Sequence, residues 1–264
     1  KALYLNNEAI RNPEAYIAVA DGCGINAFVV DVMDGGAIGY ASPVMQQYSP
    51  SAYEDAYNTL EDYQAAVKKL KDSGYYVIGR ITAFNDPNLA ADHPECVVAD
   101  LSGRPLKIGG MYWPSVYSRY VWQYKVDLAL EAARTACRLG VDSVLVQDWG
   151  LFDLLRQALP DLPLHASTQM SVFTGGGVRE LYEDGCERVV IARECSKEDT
   201  ASACKACPAE VEIFGHGALC MCYSGQCEFS ALIGGRSGNR GTCAQPCRLP
   251  YGFNGPARNT YPLS

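Results

Sequence analysis

The feature that most limits the fold is a repeated alternation of short apolar runs, polar turns and amphipathic helical stretches. ALYL (2–5), AFVVDV (27–32), YYVIGRITAF (75–84), SVLVQD (143–148), LPLHAS (162–167), ERVVIA (187–192) and EVEIFG (210–215) carry apolar residues in consecutive rather than alternate positions. Such runs predict strands covered on both faces, as in a parallel sheet. Helical periods lie between them at 13–24, 51–74, 121–140, 150–160, 175–185 and 196–207. Gly74, Gly140 and Gly185 close three of these, where a left-handed cap suits glycine. Strands alternating with helices predict βα units. No GxGxxG follows the first strand, which argues against a dinucleotide-binding sheet. Polar residues gather at the strand ends: Asp31 and Asp34, Arg80 and Asn85, Gln147 and Asp148, His165 with Ser167 to Gln169, Arg193 and Glu194, and His216. That placement is the dressing of a (β/α)8 barrel mouth. The expected fold is α/β and TIM-barrel-like, with a Cys-rich loop after the seventh strand. A closed barrel has eight strands. Seven such runs are present, which predicts a barrel incomplete at its C-terminus, with 97–113 as the alternative place for the eighth.

Composition narrows the setting. The chain has 264 residues and a net charge of -8, which argues against a broad nucleic-acid surface while leaving room for a local basic one. No run of 18 apolar residues is present, so no membrane span is expected, and the first residues lack a signal-peptide pattern. A reducing, cytoplasmic setting follows as the expectation, and there the twelve cysteines are buried, catalytic or metal-bound rather than disulfide-bonded. Cys23, Cys96, Cys137, Cys186 and Cys195 stand singly and read as small buried hydrophobes. Cys204 and Cys207 form a CxxC in an Ala-rich helical stretch before Pro208, which favours a helix surface over a redox pair.

The other five cysteines share one polar, glycine-rich stretch from His216 to Arg248. Cys220, Cys227, Cys243 and Cys247 are spaced C-x6-C-x15-C-x3-C. Thiolates on such a loop suit a 4Fe–4S cluster or a structural zinc ion, and the absence of paired CxxC knuckles counts against zinc. Packed free thiols remain the alternative. Cys222 would face away from Cys220 if the strand continued, and so reads as a packed thiol.

Residues 136–264 resemble the collagenase-like peptidase family U32. The likeness is carried by EIFGHGALCMCYSGQCEFS (212–230), by GVDSVLVQD, LPDLPLHASTQMSV and RVVIARE before it, and by GGRSGNRGTCAQPCRLPY after it. Thr174, followed by three glycines, stands where the family often has Asn. The resemblance implies a 4Fe–4S cluster with Cys220, Cys227 and Cys243 as ligands and Cys247 as either the fourth or a neighbour. It also implies oxygen-independent hydroxylation of RNA pyrimidines or of a quinone precursor, with prephenate as oxygen source. On that reading His165, Ser167, Thr168, Gln169, Arg193, Glu194 and His216 line the mouth together with Asp148. Arg236, Arg240 and Arg248 would hold a small carboxylate or an RNA phosphate, the alternative being a solvated loop. A partner subunit is a further expectation. The family name suggests a peptidase instead, with a Cys nucleophile and His216 or His165 as base, although neither HExxH nor GxSxG is present.

Residues 1–135 are similar to a different family, a putative glycosyl-hydrolase domain of unknown function (DUF number 4015). NAFVVDVMDGGAIGYASPV, YYVIGRITAFNDPNLAADHPE, Trp113 and Trp122 carry that likeness. It implies a sugar-binding or glycoside-hydrolysing barrel run from Asp31, Asp34 and Asp148, with the two tryptophans stacking a sugar ring. The plainer readings are acids that cap turns and aromatics packed under a loop. The sequence thus divides into half-barrels at 1–135 and 136–264. The remaining alternative is no activity, from a hybrid of two families that keeps neither complete site.

Overall fold

The computed structural model describes residues 1–34, 37–81, 86–108, 111–215, 220–234, 238, 243–252 and 260–262. The chain forms two compact units. The first comprises Lys1–Lys107 with Tyr112–Ala166, the second Ile108–Met111 with Ser167–Ser264. The 135/136 junction of the two family likenesses lies in the helix Arg119–Arg138 of the first unit.

In the first unit five parallel strands follow one another in chain order: β1 (Ala2–Leu5), β2 (Ala27–Asp34), β3 (Tyr76–Ile81), β4 (Ser143–Val146) and β5 (Leu164–Ala166). The crossovers run through α1 (Pro13–Cys23), α2 (Leu60–Asp72), α3 (Arg119–Arg138) and α4 (Trp149–Ala158). Leu5, Val30, Val144, Val146 and Leu164 are fully buried, and α3 packs on β2 and β3. This apolar sandwich is the main source of stability, about 25 cal/mol for each Å² of apolar surface removed from water. The other sheet face is polar in places. Asp31, Arg80, Leu145 and His165 form one row across β2 to β5, because each is the register partner of the next.

The second unit repeats the rhythm. α5 (Gly175–Glu183) and α6 (Lys197–Ala206) accompany the parallel pair β6 (Arg188–Val190) and β7 (Glu210–Glu212). Further on, Pro250–Gly252 and Thr260–Pro262 pair antiparallel. The protein is therefore α/β and TIM-barrel-like, with the seven parallel strands expected; the sheet's eighth strand among the described residues is the short Ala37–Ile38, which pairs antiparallel with β2. Region 97–113 forms isolated bridges and two-residue strands rather than a barrel strand. No helix among the described residues is long and apolar enough to cross a membrane.

The structure corrects several expectations. The helix read over 51–74 is two helices, Pro50–Glu54 and α2, because the Thr59 side chain caps α2 by accepting from the Asp62 N–H. Gly74, Gly140 and Gly185 do take positive φ at helix ends. Cys96 and Cys186 are buried, but Cys23 and Cys137 are exposed. Cys137 follows fully buried Ala136, and one residue turns a helix about 100°, away from the core. Cys204 lies exposed on α6, and Cys207 is that helix's C-cap.

Candidate functional site

Within the second unit, the loops after β6 and before Cys227 are tied together by one residue that the sequence does not single out. Ser224 is fully buried. Its hydroxyl donates to Glu194 Oε2 at 2.8 Å, and its amide N–H donates to Oε1 at 3.0 Å. The same hydroxyl accepts from the Arg193 amide at 3.2 Å, and Ser171 Oγ donates to the Ser224 carbonyl at 2.5 Å. Gln226 Nε2 adds a bond to Ser171 Oγ at 3.2 Å. Burial pushes the Glu194 carboxyl up, but the Ser224 hydrogen bonds and the Arg193 charge outweigh it and hold the group below its usual range. The Arg193 guanidinium carbon lies 5.4 Å from the Phe214 ring centroid. Gln169 donates through Nε2 to the Gly238 carbonyl at 3.2 Å, and its Oε1 is buried without a partner among the described residues.

Ser224 stands between the thiols. Cys220 Sγ accepts from the Cys222 N–H at 3.4 Å. The Cys222 thiol is raised first by burial, then by a hydrogen bond with Cys227 and by the charges of Cys227 and Cys220. The strand expected to continue through Cys222 has ended by Glu212, so strand alternation does not set the direction of Cys222. None of Cys220, Cys222, Cys227, Cys243 and Cys247 is in a disulfide. In kind this donor set fits an iron–sulfur centre, which takes thiolates. In placement, no three Cys, His, Asp or Glu side chains among the described residues converge as a metal site. Cys243 Sγ accepts from the Gln245 N–H at 3.3 Å. Arg248 ends a short 3-10 turn with its side chain exposed. His216, Arg236 and Arg240 lie outside the described residues.

The remaining candidates belong to the first unit. His165, expected at a barrel mouth, is a strand residue only 2% exposed. Its Nδ1 lies 3.3 Å from Ser143 Oγ, at the opening residue of β4, so the ring leans toward the strand starts. Asp148 is the N-cap of α4 and accepts from the Leu151 N–H at 2.8 Å, which is the capping role expected of such acids. Asp31 is not a turn cap. Its carboxylate is buried, paired with Arg80, and accepts from Tyr4 Oη at 2.5 Å. Asp31 and Asp148 are both engaged within the chain, not held open as an acid–nucleophile pair. Trp122 is not packed under a loop but 59% exposed.

Ser224 carries one overlooked signal: Ser-Gly is a turn dipeptide, and here it interrupts the cysteine run with Gly225 at φ +77°. Ser171 has no comparable signal, since its αL conformation (φ 59°) is rare outside glycine.

Fold and site together define a TIM-barrel-like α/β protein with a buried serine clamp under a thiol-rich loop. Residues 118–261 match the profile of peptidase family U32, and the chain belongs to that family. Residues 2–156 match a second profile, described as a putative glycosyl hydrolase domain, so the two matches overlap over 118–156. The chain is 45% identical over 112 residues to the 23S rRNA 5-hydroxycytidine C2501 synthase of Escherichia coli strain K12, covering 42% of this chain and 17% of that protein. It is 36% identical over 128 residues to tRNA hydroxylation protein P of the same strain, covering 48% of this chain and 28% of the relative. The chain thus spans less than a third of the length of these relatives. Among solved structures, the chitobiase of Flavobacterium johnsoniae superposes with a TM-score of 0.52 at 9% identity, covering 81% of this chain and 44% of that one, a likeness of fold alone.

Proposed function

We propose that this chain is the thiol-bearing part of an RNA hydroxylase, with a 4Fe–4S cluster held by Cys220, Cys227, Cys243 and Cys247. The observation that carries the reading is the 45% identity to a relative named for making 5-hydroxycytidine in 23S rRNA. A second relative, named for tRNA hydroxylation, supports the same substrate class. When bound, the cluster supplies redox chemistry that no side chain offers. The chain's own residues do the rest. Glu194, through Ser224, fixes the loop that carries Cys220, Cys222 and Cys227. Exposed Arg248 offers a guanidinium for a phosphate or a small carboxylate, the latter being the oxygen donor in this reading. His165 is left out of the reacting set because it is buried in β5 beside Ser143.

Anaerobic purification with iron and acid-labile sulfide assays and a visible spectrum tests this. Iron and sulfide in equal amounts, with a broad visible band lost in Cys220→Ala, Cys227→Ala and Cys243→Ala, is the expected result. Iron-free protein whose loop thiols all titrate would sink it, and zinc in place of iron would select a structural site instead.

A further inference from the structure

α3 presents an unusual outer face. Its inner side carries buried Val121, Tyr124, Lys125 and Leu128. Arg119, Trp122, Gln123 and Val126 fall at i, i+3, i+4 and i+7 on the other side. With Val116 and Tyr117 from the preceding turn they line a cleft of about 540 Å³. Tyr117 is 93% exposed. The Trp122 indole N–H donates to the Val116 carbonyl at 2.6 Å. That bond satisfies the ring's one donor and fixes its orientation, leaving an immobilised aromatic face in solvent. The charge is equally informative. The chain has 30 acidic and 22 basic residues, yet the described lining of this cleft holds one arginine and no carboxylate. Asp127, next along the helix, is held by Tyr48 Oη at 2.7 Å and by Gln123 Nε2 at 2.9 Å.

We propose that this cleft is a binding site for single-stranded RNA, with Trp122 as the stacking platform for a base and Arg119 as the contact to the phosphate beside it. The proposal rests on the RNA reading above and adds where the strand is gripped. A fixed aromatic next to a cation is what sequence-tolerant single-strand binding requires. For a sugar's many hydroxyls the lining offers only the Arg119 guanidinium and the Tyr117 hydroxyl, with no carboxylate and its one amide already engaged with Asp127.

The test is fluorescence anisotropy of a labelled short oligouridine with the full chain at several salt concentrations. Trp122→Ala should weaken binding about tenfold, while Trp122→Phe keeps most of it. Arg119→Gln should lower the slope of log affinity against log salt by about 0.7. Circular dichroism checks each variant, and the Arg119→Gln arm stands if Trp122→Ala does not fold. Parent-like RNA binding by both variants overturns this site and leaves the RNA reading intact. No oligouridine binding by the parent chain overturns both. Chitotetraose binding lost in Trp122→Ala, or a fall in solution mass in that variant, overturns the RNA assignment in favour of a sugar or a second copy of the chain.

Discussion

Ser224 meets both oxygens of the Glu194 carboxylate, one with its amide N–H and the other with its hydroxyl. Thirty residues separate the two, so the pair staples the loop after β6 to the loop that carries the thiols. Ser224→Ala removes a buried hydroxyl that serves Glu194 and the Arg193 amide together. It should cost about 1.5 kcal/mol in chemical denaturation, the range for a hydrogen bond to a charged group. The pH dependence has a definite sign. The folded Glu194 carboxyl sits below its ordinary value of 4.5, so its contribution is present above that value and lost as pH falls through the lowered one. Glu194→Gln should therefore flatten the acid limb of stability below pH 4.5 and leave its neutral and alkaline shape alone. An unchanged acid limb would contradict the assignment.

Gly225, next in the chain, shows why the staple is tight. It has φ +77°, and a Cβ there would run into the Gln169 carbonyl and stand 2.7 Å from Ser171 Oγ. Gly103 has nearly the same φ, +80°, with nothing within 4 Å of the place a Cβ would take. Gly103→Ala should thus cost only the left-handed backbone penalty, about 1 kcal/mol. Gly225→Ala adds a steric clash and should cost about 3 kcal/mol or more. Equal losses in thermal or chemical unfolding would mean that the loop moves freely away from Gln169.

A buried ion pair makes a contrasting case in the first unit. Lys125 and Asp86 are 3% and 1% exposed and meet at 2.7 Å. Burial lowers the Lys125 pKa, and the Asp86 charge opposes that. Lys125→Met strands a buried carboxylate and should destabilise by about 3–5 kcal/mol. Asp86 also accepts from the Leu89 N–H at 2.9 Å as a helix cap, a role that asparagine can keep. Lys125→Met with Asp86→Asn should therefore recover most of the loss. Additive losses in the double variant would show that the charge pair is not the main contribution.

These residues also mark what a reader of the sequence can and cannot see. The strands are legible because Phe28, Val30, Val77 and Val144 repeat a local apolar signal that parallel packing demands. The helix ends are legible where glycine or a capping side chain marks them, and are hidden at Thr59 because the helical period runs through it. The candidate site is visible only as a set of separate residues. His165 and Glu194 both look like strand-end polar residues, yet one is enclosed beside Ser143 and the other clamps Ser224. Partners 22 and 30 residues away decide that difference, and no local pattern encodes them. The direction of Cys222 is illegible for a related reason, since it depends on a strand that stops early.

Cys222 offers the last test, one of chemistry rather than stability. Its thiol is partly buried and hydrogen-bonded with Cys227, so less thiolate is available for alkylation. Cys204 stands exposed on α6. In metal-free protein near neutral pH, iodoacetamide mapped by mass spectrometry should modify Cys204 well before Cys222. Because the raised Cys222 pKa comes first from burial and next from Cys227, Cys227→Ala should speed Cys222 alkylation without altering Cys204. Ser224→Ala should do so too, by loosening the loop that shields the thiol. Alkylation of Cys222 at the Cys204 rate in the parent chain would contradict the partial burial of Cys222 and its hydrogen bond with Cys227.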